Sequence, residues 1–69
     1  MEVKFVLNGH VLQTGDELSV CEPGGKPKIG RVTMDPDSQP PMRMWLRFEG
    51  GGARRLLELV NGRNVFTLV

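Results

Sequence analysis

The amino-acid sequence predicts a small all-β domain, and three observations support that prediction. From Met42 to Glu49, apolar and polar side chains alternate without interruption, which is the pattern of a strand with one buried face. Asn-Gly pairs, typical of tight hairpin turns, occur at Asn8 and Asn61. Segments rich in glycine and proline separate the other short apolar runs. We therefore expect about five to seven short antiparallel strands. Closure of these strands into a small barrel would leave no exposed edge strand.

Length and charge limit the architecture more than they identify a partner. A chain of 69 residues is expected to form one domain, residues 1–69, with a small core. Residues 1–40 carry four basic and six acidic side chains, a balance of −2, and residues 41–69 carry five basic and two acidic ones, a balance of +3. All five basic residues of the second part are arginine, which binds phosphate and carboxylate in a bidentate way. They predict an anionic partner if they converge in the fold, and otherwise they are dispersed surface charges.

The cysteine content and the hydropathy pattern indicate where the protein works. Cys21 is the only cysteine, so no internal disulfide can form, and a free thiol is typical of the reducing cytosol. No run approaches the ~18 apolar residues of a membrane-spanning helix, and the N-terminus shows no signal-peptide pattern. We therefore expect a cytoplasmic protein with no membrane partner.

Residues 2–13 are predicted to form an N-terminal β-hairpin. Asn8-Gly9 supplies the central residues of a type I′ turn, which requires positive φ at both positions. A two-residue loop then sets three cross-strand pairs: Leu7 with His10, Val6 with Val11, and Phe5 with Leu12. The side chains expected on the core face of the hairpin are those of Val3, Phe5, Leu7 and Leu12.

The next predicted strand runs from Glu17 to Glu22, after a turn at residues 14–16. Its alternation directs Leu18 and Val20 towards the core. Residues 23–27 hold two prolines and two glycines, which cannot maintain a strand ladder, so we expect a loop there.

The strand from Lys28 to Met34 interrupts its own alternation. Ile29 is out of phase with Val32 and Met34. A β-bulge at Gly30 would bring all three apolar side chains to one side, and glycine within a strand often marks such a bulge. The bulge would also bend the strand, as a small barrel requires.

The second half of the chain begins with a polar connection at residues 35–41, which we expect to be exposed. The strand 42–49 follows, and Gly50-Gly51-Gly52 is expected to form the tip of a reversal. Residues 54–60 fit two patterns, a helical face formed by their leucines and a strand alternation. We favour a strand, because turn signals lie on both sides, although Asn61-Gly62 also suits the end of a helical turn. The last strand is predicted over residues 63–69.

A family resemblance supports the all-β prediction. A turn glycine, an acidic residue and two alternating apolar residues occur in the run Gly15-Asp16-Glu17-Leu18-Ser19-Val20, and a Gly/Pro loop and the run Ile29-Gly30-Arg31-Val32 follow. This pattern resembles the opening of SH3-like small β-barrels of the KOW and Tudor type, over residues 15–49. The resemblance implies an SH3-like barrel that binds nucleic acid, peptide or another protein, and it carries no catalytic residues. The aromatic cage of Tudor domains cannot be assembled here from one tryptophan and no tyrosine.

Residues with reactive or ligating side chains are few and scattered. His10 has no second histidine or nearby cysteine with zinc-site spacing, so we expect a surface turn residue. Cys21 is expected to be a half-buried structural thiol. Asp35 and Asp37 are too few to coordinate calcium and suit turn chemistry. We therefore predict no enzyme, no metal site and no cofactor.

The strongest functional signal is the polar face of strand 42–49. Arg43, Trp45 and Arg47 are spaced two residues apart, so they are expected to share one face. Arg54 and Arg55 follow the glycine tip and could hold a phosphate beside its backbone amides, although such tips often serve only geometry. Trp45 itself has three interpretations: packing under the N-terminal hairpin or a loop with the arginines over its ring, a protein interface, or stacking on nucleic-acid bases.

Two binding hypotheses follow from these five residues. The first is a non-enzymatic module that contacts a protein partner, or a second copy of itself, through the Arg/Trp strand face. The alternative is a small barrel that binds nucleic acid through the same basic and aromatic face.

Overall fold

The computed structural model describes residues 4–39 and 42–69, and it is all-β apart from one short helix. The strands are antiparallel and form a two-stranded sheet, β1-β2, and a five-stranded sheet in the order β6-β5-β4-β3-β7. In chain order the elements are β1 (Val6–Leu7), β2 (His10–Val11), β3 (Glu17–Cys21), β4 (Lys28–Met34), β5 (Met44–Phe48), β6 (Ala53–Arg55), α1 (Leu56–Asn61) and β7 (Val65–Leu68).

The N-terminal hairpin has the predicted turn and register. Asn8 and Gly9 adopt φ values of 51° and 81°, as the central residues of a type I′ turn require. The strand pairs are Val6 with Val11 and Leu7 with His10, and the Leu12 amide donates to the Phe5 carbonyl at 2.8 Å. Leu12 is buried, and Phe5 and Leu7 pack against the core as expected. Val3, also predicted on this face, lies outside the described residues.

The predicted bulge at Gly30 is wrong. β4 pairs in continuous register with β3 on one side and β5 on the other, with no extra residue at Gly30. Ile29 therefore points away from the core, on the side opposite Val32. The glycine has a packing reason instead, because a Cβ at this position would lie 2.6 Å from Cγ of Leu46 on the adjacent strand. Gly30 thus allows the Leu46 side chain to fill the centre of the core.

Residues 54–60 are divided between two elements, so the favoured strand is wrong for most of this segment. β6 ends at Arg55, and α1 begins at Leu56 because Leu56 and Leu59, three residues apart, are both buried on one helical face. Asn61-Gly62 is not a hairpin turn, since the Gly62 amide donates to the Glu58 carbonyl at 3.0 Å and extends the helical hydrogen bonding.

The five-stranded sheet is open. α1 connects β6 to β7, and β7 returns to pair with β3 at the opposite edge. No ladder joins β6 to β7 within residues 4–39 and 42–69, so the predicted closed barrel is not formed there. No helix in this described part is long and apolar enough to cross a membrane.

The core lies between the five-stranded sheet, the helix and the hairpin. Its buried side chains are all apolar, and the described residues include no buried polar side chain. The strand alternations predicted for β3 and β5 are confirmed, because Leu18, Val20 and Leu46 are buried in this core. The buried set is Leu12, Leu18, Val20, Val32, Leu46, Leu56 and Leu59.

Candidate binding face

The outer face of the five-stranded sheet, the side that points away from the core, carries three of the predicted binding residues, Trp45, Arg47 and Arg55. β5 alternates as predicted: Leu46 is fully buried, and Trp45 and Arg47 lie on the outer face. β5 is an interior strand of the sheet, so each of these side chains has cross-strand neighbours. Trp45 lies opposite Thr33 of β4 and Arg55 of β6.

Trp45 is half-buried beneath an arginine. The guanidinium carbon of Arg55 lies 5.0 Å from the centroid of the Trp45 ring, which is cation–π geometry. An arginine therefore lies over the ring as the packing interpretation expected, but it comes from β6 and not from β5. The hairpin does not cover Trp45, because its apolar side chains pack against the core on the other side of the sheet. Indole Nε1 of Trp45 and Nε of Arg55 are both enclosed, and neither has a hydrogen-bond partner among the described residues.

Arg47 is an exposed cation of the outer face. It lies directly opposite Arg31, and like charges in such cross-strand pairs repel each other. The Arg31 guanidinium is hydrogen-bonded to the carboxylate of Glu17, which offsets that charge. Arg47 has no ion pair in the part of the chain that the structure describes.

Arg43 is held in the turn before β5. Its Nε donates to the Ser38 carbonyl at 2.9 Å, so it supports the connection between β4 and β5 more than it extends into solvent. The same turn brings Asp35 close to this basic group. The Ser38 hydroxyl, at 2.6 Å, and then the Asp37 amide hold the pKa of the Asp35 carboxyl below its usual range, with help from the charges of Arg55 and Arg43.

The outer face contains a shallow depression beside these groups, with a volume of about 340 Å³. Apolar, acidic and basic side chains all border it, so it suits a ligand of mixed character. The sequence predicted only that Asp35 lies in a turn. The pairing of β4 with β5 places it beside the basic face. Residues that line the depression include Thr33, Met34, Asp35, Pro36, Trp45 and Arg47.

Arg54 does not belong to this face, which corrects the predicted set. It pairs with the buried Leu46 and therefore points to the opposite side of β6 from Arg55. Its guanidinium lies 3.9 Å from the Glu22 carboxylate and 3.8 Å from that of Glu58. Arg54 and Arg55 leave the strand on opposite sides, but both guanidinium groups lie within 4.0 Å of the Glu58 carboxylate, which occupies the position between them.

The remaining candidates have structural contacts. His10 Nε2 lies 2.8 Å from Asp16 Oδ2, which links the hairpin to the following turn. The Gln13 amide and then His10 lower the pKa of Asp16 by hydrogen bonding. Cys21 is half-buried, and its thiol donates to the Gly25 carbonyl at 3.2 Å. Within residues 4–39 and 42–69, no three His, Cys, Asp or Glu side chains are close enough to hold a metal ion.

Comparison with protein-family models, with curated proteins and with solved structures finds no match for this chain. The function is therefore inferred from the geometry of the chain itself.

Proposed function

We propose that the protein is a non-enzymatic binding module whose outer face contacts a segment of a protein partner through Trp45 and Arg47. The observation that carries the proposal is the exposed guanidinium of Arg47 beside a tryptophan that Arg55 holds in place. Tryptophan and arginine are the residues most enriched as energetic anchors of protein interfaces. Because Arg55 already orders the indole, a partner would pay little conformational entropy to use it.

The geometry supports a partner segment that carries a carboxylate next to an apolar side chain. The carboxylate would bind Arg47, since guanidinium and carboxylate groups form charge-assisted hydrogen bonds. The apolar side chain would enter the depression that Trp45 and Met34 help to line. Met34, at the end of β4, is 48% exposed. Such a mixed contact resembles the apolar centre and polar rim of ordinary interfaces.

Nucleic acid is the alternative, and the cross-strand neighbours Arg31 and Arg47 are the observation that favours it. Phosphate backbones are bound by several cations together. Arg31 is engaged by Glu17, and Arg55 lies over Trp45 and 4.0 Å from Glu58. The ionised Asp35 beside the depression would also repel phosphate. These contacts favour a protein partner.

A random peptide library, displayed on phage and selected on the immobilised protein, tests the proposal. We expect enrichment of peptides with Asp or Glu beside an apolar residue. Arg47→Glu should weaken the selected peptides by about tenfold or more, because like charges across an interface cost several kcal/mol. Arg63→Glu is the matched control, since Arg63 is an exposed arginine outside this face, and it should leave binding unchanged.

Three outcomes would overturn the proposal. Selection without acidic enrichment, or equal losses in the two charge reversals, would show that Arg47 is no anchor. Binding of a single-stranded oligonucleotide that quenches Trp45 and weakens steeply with salt would favour the nucleic-acid alternative. A separate measurement, sedimentation, concerns the identity of the partner. A reversible dimer that Arg47→Glu dissociates would identify a second copy of the chain as the partner.

We also propose that residues 15–49 are related to SH3-like small barrels. The residues that carry the resemblance support this by their positions. Gly15 has a positive φ in the turn before β3, Leu18 and Val20 are buried, and Gly30 and Val32 face the core from β4. The lack of pairing between β6 and β7, at opposite edges of the sheet, is a difference from a closed barrel.

A further inference from the structure

A second concave site lies away from the outer face. It is a cleft of about 430 Å³ between the loop after β3, the glycine tip after β5 and the end of α1. Its floor is apolar and includes Val20, Phe48 and Leu59, of which Val20 and Leu59 are buried. We propose that this cleft binds a small organic anion that has an apolar body.

Two of the three cations at the rim occupy inward-facing strand positions, and the third, Lys26, lies in the loop after β3. Lys28 pairs with the buried Val20, and Arg54 pairs with the buried Leu46, so both side chains leave their strands on the core side of the sheet. At the ends of the strands this side opens into the cleft. Two cations are thus placed directly beside an apolar floor, which is the arrangement that an amphiphilic anion requires.

The charge balance of the cleft is positive. Lys26 and Lys28 line it and have no ion pair among the described residues, and Arg54 lines it as well. Glu22 is the acidic group of the lining, and it lies 3.9 Å from Arg54. Glu58, outside the lining, is 3.8 Å from the same guanidinium. Arg54 is therefore partly neutralised, and the two lysines are left to bind the anionic group of the ligand.

The dimensions favour a small molecule over a macromolecule. Sites for small organic ligands occupy roughly 300–1,000 Å³ and combine apolar walls with a few polar groups. The glycine tip adds two residues to the wall, Gly51 and Gly52, without side chains that would fill the space. The cleft and the depression of the outer face share Ala53 and otherwise have different lining residues.

Nuclear magnetic resonance (NMR) titration of the ¹⁵N-labelled protein with hexanoate tests the proposal. We expect saturable shifts at millimolar concentration, confined to amides around the cleft, such as those of Lys26, Gly51, Gly52 and Asn64. Hexanol, which has the same chain without charge, and inorganic phosphate, which has charge without a chain, should each bind much more weakly. Hexyl phosphate, compared with hexanoate, identifies which anionic group the two lysines prefer.

Substitutions at the rim provide the matched test. Lys26→Gln and Lys28→Gln should each weaken hexanoate binding by about fivefold, the factor that corresponds to the ~1 kcal/mol of an exposed ion pair. Lys4→Gln, which removes an exposed lysine at the hairpin, should have no effect. Equal binding of hexanol, shifts centred on the hairpin or on Trp45, an unchanged affinity in both rim variants, or no saturable shift would each overturn the proposal.

Discussion

The two faces of the five-stranded sheet use their side chains in different ways. The inner face is entirely apolar at its centre, where Leu18, Val32 and Leu46 are fully buried. The outer face is polar and carries side chains that contact one another across strands, such as Arg31 with Glu17 and Arg55 with Trp45. The inner face therefore accounts for the stability of the fold. The exposed groups of the outer face are the ones that a partner could contact.

The same difference appears between two neighbouring residues of β6. Arg55 is on the outer face, over an aromatic ring, and Arg54 is on the inner side, near two carboxylates. A one-residue step along the strand thus changes the main contacts of an arginine, although both guanidinium groups lie within 4.0 Å of the Glu58 carboxylate. Substitutions in matched pairs can measure how much the side chains of each face contribute to the stability of the fold and to the contacts of Trp45.

The largest expected effect comes from Leu46→Ala. Truncation of this fully buried side chain should lower the free energy of unfolding by about 2–5 kcal/mol, through lost apolar burial and a residual cavity. A core this small rarely supplies more than ~3–5 kcal/mol, so the variant should be largely unfolded. Arg47→Ala, on the outer face of the same strand, should change stability by less than ~0.5 kcal/mol. Urea unfolding measures both, and equal losses would contradict the division between the faces.

The next effect concerns close packing on the inner face. Gly30→Ala places a Cβ 2.6 Å from Cγ of Leu46, and overpacking of this kind typically costs about 1–3 kcal/mol. Gly50→Ala is the control, because no atom lies within 4 Å of the added Cβ. We expect thermal unfolding to show a clear loss for the first variant only. If Gly30→Ala costs as much stability in a Leu46→Val background as it does in the original protein, the contact between the added Cβ and Leu46 is not the cause.

A smaller effect should separate Arg55 from Arg54. Arg55→Gln removes the cation over Trp45 and should cost about 0.5–1 kcal/mol, the range for cation–π pairs near the surface. It should also shift Trp45 emission to longer wavelength and increase quenching by acrylamide. Arg54→Gln should leave the fluorescence unchanged, since Arg54 points to the other side of β6. An equal response in the two variants would rule out the observed stacking.

The smallest effect is a change in the pKa of Asp35. The Ser38 hydroxyl stabilises the ionised carboxylate, so the folded-state pKa lies below the ordinary value of 3.8. This group therefore contributes stability above pH 3.8, which is lost as the pH falls through the lowered pKa. Ser38→Ala should raise the Asp35 pKa towards 3.8, measured by carboxyl ¹³C NMR, while Asp16 titrates as before. An unchanged Asp35 pKa would show that the hydroxyl has no such role.

Local signals in the sequence predicted the parts of the fold that depend on local chemistry. Asn8-Gly9 determined the turn and register of the hairpin through its two positive φ values. The alternation of β5 likewise predicted that Trp45 and Arg47 point away from the core. These features need only neighbouring residues, because turn geometry and strand parity are set over a few positions.

Features that depend on distant residues were not predictable in the same way. Leu56 and Leu59 fit both a helix and a strand, and their burial against the rest of the core decided for the helix. Gly30 suggested a bulge until the register with β5 placed Leu46 beside it. The position of Arg55 over Trp45 similarly follows from the pairing of β5 with β6, which no local pattern specifies.

In the proposed function, Trp45 and Arg47 together bind a carboxylate-bearing segment of a partner. The most direct test of this contact is NMR of the protein labelled at its indole and guanidinium nitrogens, titrated with the tightest acidic peptide from the selection. We predict that the Trp45 indole and Arg47 guanidinium signals move together with the bound fraction, while those of Arg54 and Arg63 stay in place. If the peptide binds and the signals of Trp45 and Arg47 do not move, the outer face is not the binding surface.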